Sequence, residues 1–537
     1  MPGCRPDVVT YGRLITDAAR YVSLLKSVGV GRDDVVLCIS PTSVDLIFAF
    51  VATTLIGAVP AMLPFPTPKL DPDEYHHRLS ALVAYTRPAA ILTTPELKDE
   101  LTEHLAGEGW LGRVLSWEDA VRQGVEFVVD DAVSMEADGP AVLQYSSGTT
   151  GLQKGVVLSH RALFNHLRSY TAAISLAPDD VVVSWLPLYH DMGLIAGFLM
   201  PLLTRTPLVL MSPLDWVREP GMLLRAVDTY RGTLTWLPNF AYSFLAAKVR
   251  EDDLQGCRLD SLRAVINCSE PMSAHSHDLF ARRFSPYGFH PDALATCYAM
   301  AENTFAVTQG GIGRPSTQDV IDGAALAKCQ RAQPVSADCP TAKTMVSAGS
   351  PIDGVHVRVV SDGYEDLFNR EIGEIAIKSD CMLTEYFHRP DLTADAFHDG
   401  WFLTGDYGYV ADGQLYVTGR KKDLIIVGGS NIYPNDIEAA VNTVAGVHPG
   451  RCVAFGLYDE QTGTETVVVI AEVDGEDERH HQAIKSTIRD RVARSNDCVV
   501  RRIHLVRSPW LLKTSSGKIA RRANREKYCH EMGIDAW

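Results

Sequence analysis

Short apolar runs set off by glycine, proline and polar clusters recur along most of the chain. "DVVLCIS", "AAILTT", "AVLQYSS", "DVVVSWL", "PLVLM", "TLTWLP" and "RAVINCS" are continuous enough to predict strands buried on both faces. Helix-length segments such as "SHRALFNHLRSYTAA" and "DLFARRFSPYGF" separate them, and this alternation predicts α/β architecture with largely buried sheets. The longest apolar stretch, "LIFAFVATTLIGAVPAMLPF" from Leu46, approaches membrane-spanning length. Asp45 before it, Thr53 and Thr54 inside it, and Gly57 followed by Pro60 instead predict a buried helix that stops before a short buried strand. "GLIAGFLMPLLTRTPLVLM" from Gly193 reads the same way, broken at Pro201 and Arg205. Past Gly349 the pattern changes to alternation, "HVRVVSD", "GEIAIKS" and "GQLYVTG", which predicts a smaller β-rich subdomain. The charged run "GRKKD" (Gly419–Asp423) marks a boundary, and the residues after it contain helices "NDIEAAVNTV" and "AIKSTIRDRVARS" and strands "TVVVIAEVD" and "VRRIHLV". The expected architecture is therefore an α/β N-terminal domain over 1–420, built of several subdomains, and a small α+β C-terminal domain over 421–537.

Composition narrows the function. A net charge of −16, from 50 basic and 66 acidic residues, argues against a nucleic-acid or anionic-membrane surface and leaves room for a local basic groove. Eleven cysteines without CxxC spacing predict reduced thiols in a cytoplasmic setting, and no metal site built from them. The N-terminal "MPGCRPDVVTYGRL" has no apolar signal core, so no export is expected. The histidine pairs beginning at His76 and His480 lack companion ligands and read as solvated helix faces.

One stretch is unfit for a core. "YSSGTTGLQKG" (Tyr145–Gly155) holds three glycines and four small hydroxyl side chains in eleven residues. Such a segment bends tightly and can aim backbone N–H groups and hydroxyls at an anion, phosphate above all. It matches neither the Walker spacing nor the Gly-x-Gly-x-x-Gly dinucleotide pattern. Taken alone, a plain surface turn explains it equally well.

Four later segments change that balance: "CYAMAENT" (Cys297–Thr304), "WFLTGDYGYV" (Trp401–Val410), "YVTGRKKDLIIVGGSNIYPNDIEAAV" (Tyr416–Val441) and "LLKTSSGKIARR" (Leu511–Arg522). With the glycine-rich loop, in this order and at these separations, they resemble the acyl-adenylate-forming superfamily of acyl-CoA synthetases, fatty acyl-AMP ligases, peptide-synthetase adenylation domains and luciferases. The resemblance runs from about Tyr11 to the C-terminus. It implies two stacked α/β sheets plus a small β-barrel-like subdomain in the N-terminal domain, a mobile C-terminal lid, and an enzyme that joins a small carboxylic acid to the α-phosphate of ATP.

The resemblance also implies roles for residues. Ser146, Ser147, Gly148, Thr149, Thr150 and Lys154 would cradle the phosphates, with Thr149 among the catalytic groups. Glu302 would hold Mg²⁺, although a lone glutamate is commonly a solvated helix residue. Asp406 and Arg420 would fix the ribose, and Tyr298 would lie flat against adenine beside Ser269 and Glu270 of "NCSEP". Ala299 stands where relatives commonly carry glycine, and its methyl would crowd the nucleotide. Lys518 would reach both the attacking carboxylate and the phosphoryl oxygen; the plainer reading is a solvated lysine in a basic tail. Lys422 aligns with the hinge. His190 and Asn239 fall at the acyl and thiol tunnels, where a buried, satisfied histidine is an equal alternative.

For the acceptor, "LPNFAYSFLAAKV", "WLPLYHDMGLI" and the long segment between Gly311 and "MVSAGSPIDG" resemble fatty acyl-AMP ligases that load an acyl carrier protein. Gly428 and Gly429, in "VGGSNIYP", are small enough to admit a pantetheine arm and favour coenzyme A. An acyl-CoA ligase is the leading expectation, with a specialisation for the thioesterification step left open by Ala299. Acyl-AMP ligase and non-catalytic nucleotide-binding scaffold stand as alternatives.

Overall fold

The computed structural model describes residues 6–66, 72–110, 112–123, 134–145, 154–427, 430–459, 464–475, 477–496, 498–514 and 517–534. Strands Val59–Leu63, Val35–Ile39, Ala90–Thr93 and Arg113–Ser116 lie side by side in that order, all parallel. Alternate residues of this sheet enter different cores. Val36 and Cys38 join helices Tyr11–Ser27 and Val44–Leu55, whereas Leu37 and Ile39 meet Leu79, Leu82, Leu101 and Leu105. Two buried faces explain why these strands read as unbroken apolar runs. The apolar stretch from Leu46 divides as its threonines and Gly57 indicate, into helix Val44–Leu55 and strand Val59–Leu63.

A second sheet has seven strands, ordered Ser350–Pro351, Ala306–Gly310, Leu294–Ala299, Ala264–Cys268, Leu234–Leu237, Val182–Ser184, Leu208–Leu210. Its members from Leu294–Ala299 to Leu208–Leu210 are parallel, and the two at the other edge run antiparallel. The carboxyl ends of parallel strands are where open α/β sheets bind ligands. The segment after Val182–Ser184 departs from expectation, because Met192–Leu199 winds as a π-helix before a short α-helix, Met200–Thr204. Gly193 permits the entry turn, since a Cβ there would stand 2.2 Å from the Pro187 carbonyl oxygen.

Strands Val355–Val360, Gly373–Ser379, Trp401–Ala411, Gln414–Arg420 and Phe397–His398 form an antiparallel five-stranded sheet. Beyond it, Val447–Asp459 pairs antiparallel with Thr464–Val473, which pairs parallel with Val500–Val506. Helices Pro434–Val441, Glu478–Asn496 and Arg521–Met532 complete this smaller unit, which has its own core around Ile437, Val469 and Ile488. His76 is not simply solvated: its Nε2 lies 2.8 Å from Glu100, and its ring stacks on His104 at 4.5 Å. Among the described residues, no helix is long and apolar enough to cross a membrane.

Candidate functional site

A cleft of about 3580 Å³ opens at the carboxyl end of the seven-stranded sheet, between that sheet and the smaller unit. Asn239, Ser269, Glu270, Tyr298, Ala299, Asp406, Arg420 and Lys518 line it, so residues nearly 280 positions apart meet there. Lys154, His190, Glu302 and Lys422 are not among the lining residues.

Strand Ala264–Cys268 ends at Ser269, which takes a left-handed turn at φ 68. The Lys518 ammonium, contributed by the smaller unit, donates to the Ser269 carbonyl oxygen at 2.7 Å. A tight turn presents it: the Thr514 N–H donates to the Lys518 carbonyl at 2.7 Å, the Thr514 hydroxyl accepts from the Lys518 N–H at 3.2 Å, and Gly517 adopts φ +88. Glu270 lines the cleft and turns one carboxylate oxygen to the backbone. Its Oε2 accepts the Phe240 N–H at 2.9 Å, satisfying a free donor at the start of helix Asn239–Lys248. Asn239 is also committed, accepting from Asn267 Nδ2 and from the Ser273 N–H, each at 3.0 Å.

Strand Leu294–Ala299 leads to a second group. A register shift sits between Tyr298 and Ala299, and the chain then turns through Ala301–Asn303, presenting Glu302. Thr304 follows at φ 62 and ties the turn down by donating its hydroxyl to the Cys381 carbonyl at 2.8 Å. Burial pushes the Glu302 carboxyl above the usual carboxylate range. Tyr386 donates to Glu302 Oε1 at 2.8 Å, and the Lys154 ammonium lies 4.5 Å from the centre of the Tyr386 ring. One recessed carboxylate suits Mg²⁺, which commonly takes one or two protein carboxylates and completes its shell with substrate phosphates.

Asp406 lines the cleft from the five-stranded antiparallel sheet. Tyr298 donates its phenolic proton to Asp406 Oδ2 at 2.7 Å, and Arg420, paired across the strands, brings Nε to 3.6 Å from Oδ1. Burial raises the Asp406 carboxyl, against the pull of Arg420 and Tyr298. Burial and the Asp406 charge together push the Tyr298 phenol well up. Tyr298 is thus a hydrogen-bonding group as well as a flat surface.

The turn Lys421–Asp423 joins the two parts of the chain. Lys421 reaches back to the five-stranded antiparallel sheet, donating to Glu374 at 3.0 Å and meeting Asp362 at 2.8 Å. Asp423 belongs to the other side, where it accepts from Arg521 at 2.6 Å. Arg521 also donates to Glu438, to Asn435 and to the Ala454 carbonyl. Lys422 stands between the two anchors. Burial and the neighbouring Arg420 charge lower its ammonium from the usual lysine value.

His190 and Asp191 occupy the turn before the π-helix. Nδ1 of His190 is 2.6 Å from Asp191 Oδ1, and the same carboxylate accepts the Met192 N–H at 2.7 Å. Burial would raise Asp191, yet His190 and Lys518 outweigh it and hold the carboxyl below its usual value. Sequence reasoning passed over Asp191, Tyr386 and Arg521. Asp191 was signalled only by adjacency to His190, Arg521 only by adjacency to the lysine loop, and Tyr386 by nothing local.

Ser146, Ser147, Gly148, Thr149, Thr150, Gly428 and Gly429 lie outside the described residues. The strands flanking the first of these segments, Pro140–Tyr145 and Gly155–Ser159, pair antiparallel with Tyr145 opposite Gly155.

Comparison with known proteins gives a consistent result. The AMP-binding enzyme family model matches residues 5–387. The chain is 30% identical to the long-chain-fatty-acid–AMP ligase FadD26 of Mycobacterium tuberculosis, covering 97% of this chain and 91% of the relative. It is 30% identical to the medium-chain-fatty-acid–[acyl-carrier-protein] ligase JamA of Moorena producens, covering 97% and 90%. A structure from a study of fatty acyl-adenylate ligases of E. coli and L. pneumophila superposes with a TM-score of 0.90 at 28% identity, covering 99% of this chain and 94% of the other.

Proposed function

Because the chain belongs to the AMP-binding enzyme family, whose members here are ATP-dependent acid ligases, we propose that it converts a carboxylic acid to its acyl-adenylate and passes the acyl group to the thiol of a carrier-borne phosphopantetheine arm. The observation that carries the first half is the Lys518 ammonium seated on the Ser269 carbonyl, at the mouth of a cleft shared with Asp406 and Arg420.

In the first step a carboxylate oxygen attacks the α-phosphorus of ATP and pyrophosphate leaves. Lys518 stands by the attacking oxygen and the developing phosphoryl charge. Asp406 and Arg420 hold the ribose, Tyr298 faces adenine, and Ser269 and Ala299 border the base. Ser146, Ser147, Gly148, Thr149, Thr150 and Lys154 hold the β- and γ-phosphates. Glu302, oriented by Tyr386, would hold Mg²⁺, which offsets phosphate charge. His190 and Asn239 border the acid. In the second step the smaller domain, 421–537, turns relative to 1–420 about Lys422 and presents the face carrying Gly428 and Gly429. The anchoring of Lys421 to one side and Asp423 to the other supports a pivot at the residue between them.

Two observations favour a carrier protein over free coenzyme A. One is that the JamA relative is an acyl-carrier-protein ligase. The other is the segment after Gly311: helix Gly323–Cys329 packs on strand Ser430–Ile432, and Lys343 meets Asp436 at 2.6 Å, tying the smaller unit into the arrangement that presents Lys518. The paired glycines remain the specific argument for coenzyme A. Intact Lys518, Glu302 and Asp406 weigh against a non-catalytic scaffold. The setting is cytoplasmic, with no membrane insertion and no nucleic acid.

Pyrophosphate release with a panel of acids tests the first step; thioester formation from synthetic acyl-adenylate, with a holo-carrier protein and with coenzyme A, tests the second. Lys518→Ala should slow pyrophosphate release by ~10²–10³-fold and spare transfer from supplied adenylate. Equal loss in both steps, or no loss, overturns the role of Lys518. Faster transfer to coenzyme A than to the carrier overturns the acceptor.

A further inference from the structure

Loop 269–273 connects strand Ala264–Cys268 to helix Ala274–Phe284, and its first carbonyl accepts the Lys518 ammonium at 2.7 Å. That carbonyl has to be held in place. Ser269 sits at φ 68, a conformation that a residue with a side chain keeps only where its surroundings over-determine it. The start of helix Asn239–Lys248 supplies the hold. Asn239 Oδ1 accepts from Asn267 Nδ2 on one side of Ser269 and from the Ser273 N–H on the other, each at 3.0 Å. The Ser273 donor is backbone, so it fixes which end of the Asn239 amide is oxygen. In return, Glu270 Oε2 accepts the Phe240 N–H at 2.9 Å. Pro238 occupies the cap position of this helix without a side-chain cap, and Glu270 fills that place from outside the helix. The Phe240 ring stands edge-on to Trp185 and Trp216, 6.4 Å from each, so the clamped helix start is also part of the aromatic wall of the cleft.

We propose that Glu270 is a positioning residue for Lys518, an assignment that rests on the role given to Lys518 above: by accepting the Phe240 N–H it clamps loop 269–273 to helix Asn239–Lys248 and holds the Ser269 carbonyl where the ammonium docks. The clamp needs reach and an acceptor oxygen, and its partner is a neutral backbone N–H, so a negative charge at Glu270 is dispensable. Asn239 and Glu270 stitch the same two segments in opposite directions, one side chain from each. The helix that borders the acid and the seat that receives Lys518 therefore move as one body. The seat is used only in the arrangement that presents Lys518, so the clamp serves the first half-reaction and gives nothing to the second.

The test compares Glu270→Gln, Glu270→Asp and Glu270→Ala in the full chain, read by pyrophosphate release and by transfer from saturating, supplied acyl-adenylate. Glutamine keeps an acceptor oxygen at the same reach and removes the charge; aspartate keeps the charge and draws the oxygen back by a methylene; alanine removes both. Glu270→Ala and Glu270→Asp should each lower kcat of adenylation by roughly 10–100-fold, the scale of losing a hydrogen bond to a charged group. Glu270→Gln should stay within about threefold of the parent, and transfer should be unchanged in all three. In a Lys518→Ala background, Glu270→Ala should cost adenylation nothing further, because the seat then has no occupant. A loss in Glu270→Gln as deep as in Glu270→Ala would mean that the charge itself acts and would overturn the inference. So would parental adenylation in Glu270→Asp or Glu270→Ala, equal loss in both half-reactions, or a full additional loss in the Lys518→Ala background. If Lys518→Ala alone leaves adenylation intact, the role of Lys518 fails instead, and the two failures are thereby told apart. Should Glu270→Ala not fold, the contrast between Glu270→Gln and Glu270→Asp carries the same comparison.

Discussion

Arg521→Met is the sharpest test of how the smaller unit is held together. The guanidinium is 18% exposed and donates to Asp423 at 2.6 Å, to both oxygens of Glu438 at 2.9 and 3.0 Å, to Asn435 at 3.0 Å and to the Ala454 carbonyl at 3.0 Å. Methionine fills much of the volume but removes the charge and all the donors. Breaking a buried pair by removing one partner costs about 3–5 kcal/mol, since the remaining carboxylate stays buried without compensation. For a unit of this size that is a fall in Tm of more than about 10 °C. The defect has a pH signature. Burial already raises the Glu438 carboxyl, and Arg521 opposes that rise, so the variant moves it further up. A carboxyl with a raised folded pKa binds more protons folded than unfolded, so stability falls as pH rises from the unfolded value of about 4.3 towards the folded one. The loss in Arg521→Met should therefore be smaller at pH 5.5 than at pH 8, recovering by at most about 1.4 kcal/mol per pH unit. Thermal melts of both proteins across that range measure it. A Tm within about 2 °C of the parent, or a loss independent of pH, would refute the reasoning.

Lys422→Pro fixes φ near roughly −65° at the turn between the Lys421 and Asp423 anchors, so one half-reaction should fall while the other persists. A stable variant with both at parental rates would show that the pivot lies elsewhere. Tyr386→Phe removes the hydroxyl that donates to Glu302 and should raise the Mg²⁺ concentration for half-maximal adenylation by roughly tenfold or more, as expected for a hydrogen bond to a charged group. An unchanged Mg²⁺ titration would separate Tyr386 from the metal.

Many strands of both large sheets were legible because burial on two faces forces continuous apolar runs such as "DVVLCIS" and "RAVINCS", whereas Arg113–Ser116, Leu294–Ala299, Ala306–Gly310 and Ser350–Pro351 were not singled out. The order of the motifs that carry the family resemblance was equally local information, although Trp401–Val410 and the start of Tyr416–Val441 fold as strands. The π-helix at Met192–Leu199 was not legible: its residues are all buried, so the apolar pattern has no face from which to read a period. Local pattern was equally silent on Tyr386 reaching Glu302 across 84 positions, on Glu270 capping Asn239–Lys248, and on Arg521 joining Asp423 to Glu438. Each is a single polar side chain whose partner is chosen by how sheets and units stack, and a lone polar residue looks the same in sequence whether solvent or a buried carboxylate receives it. Sequence alone determined the layers and the kinds of chemistry available; tertiary structure alone decided which charges meet, because pairing depends on distances that only the packed fold creates.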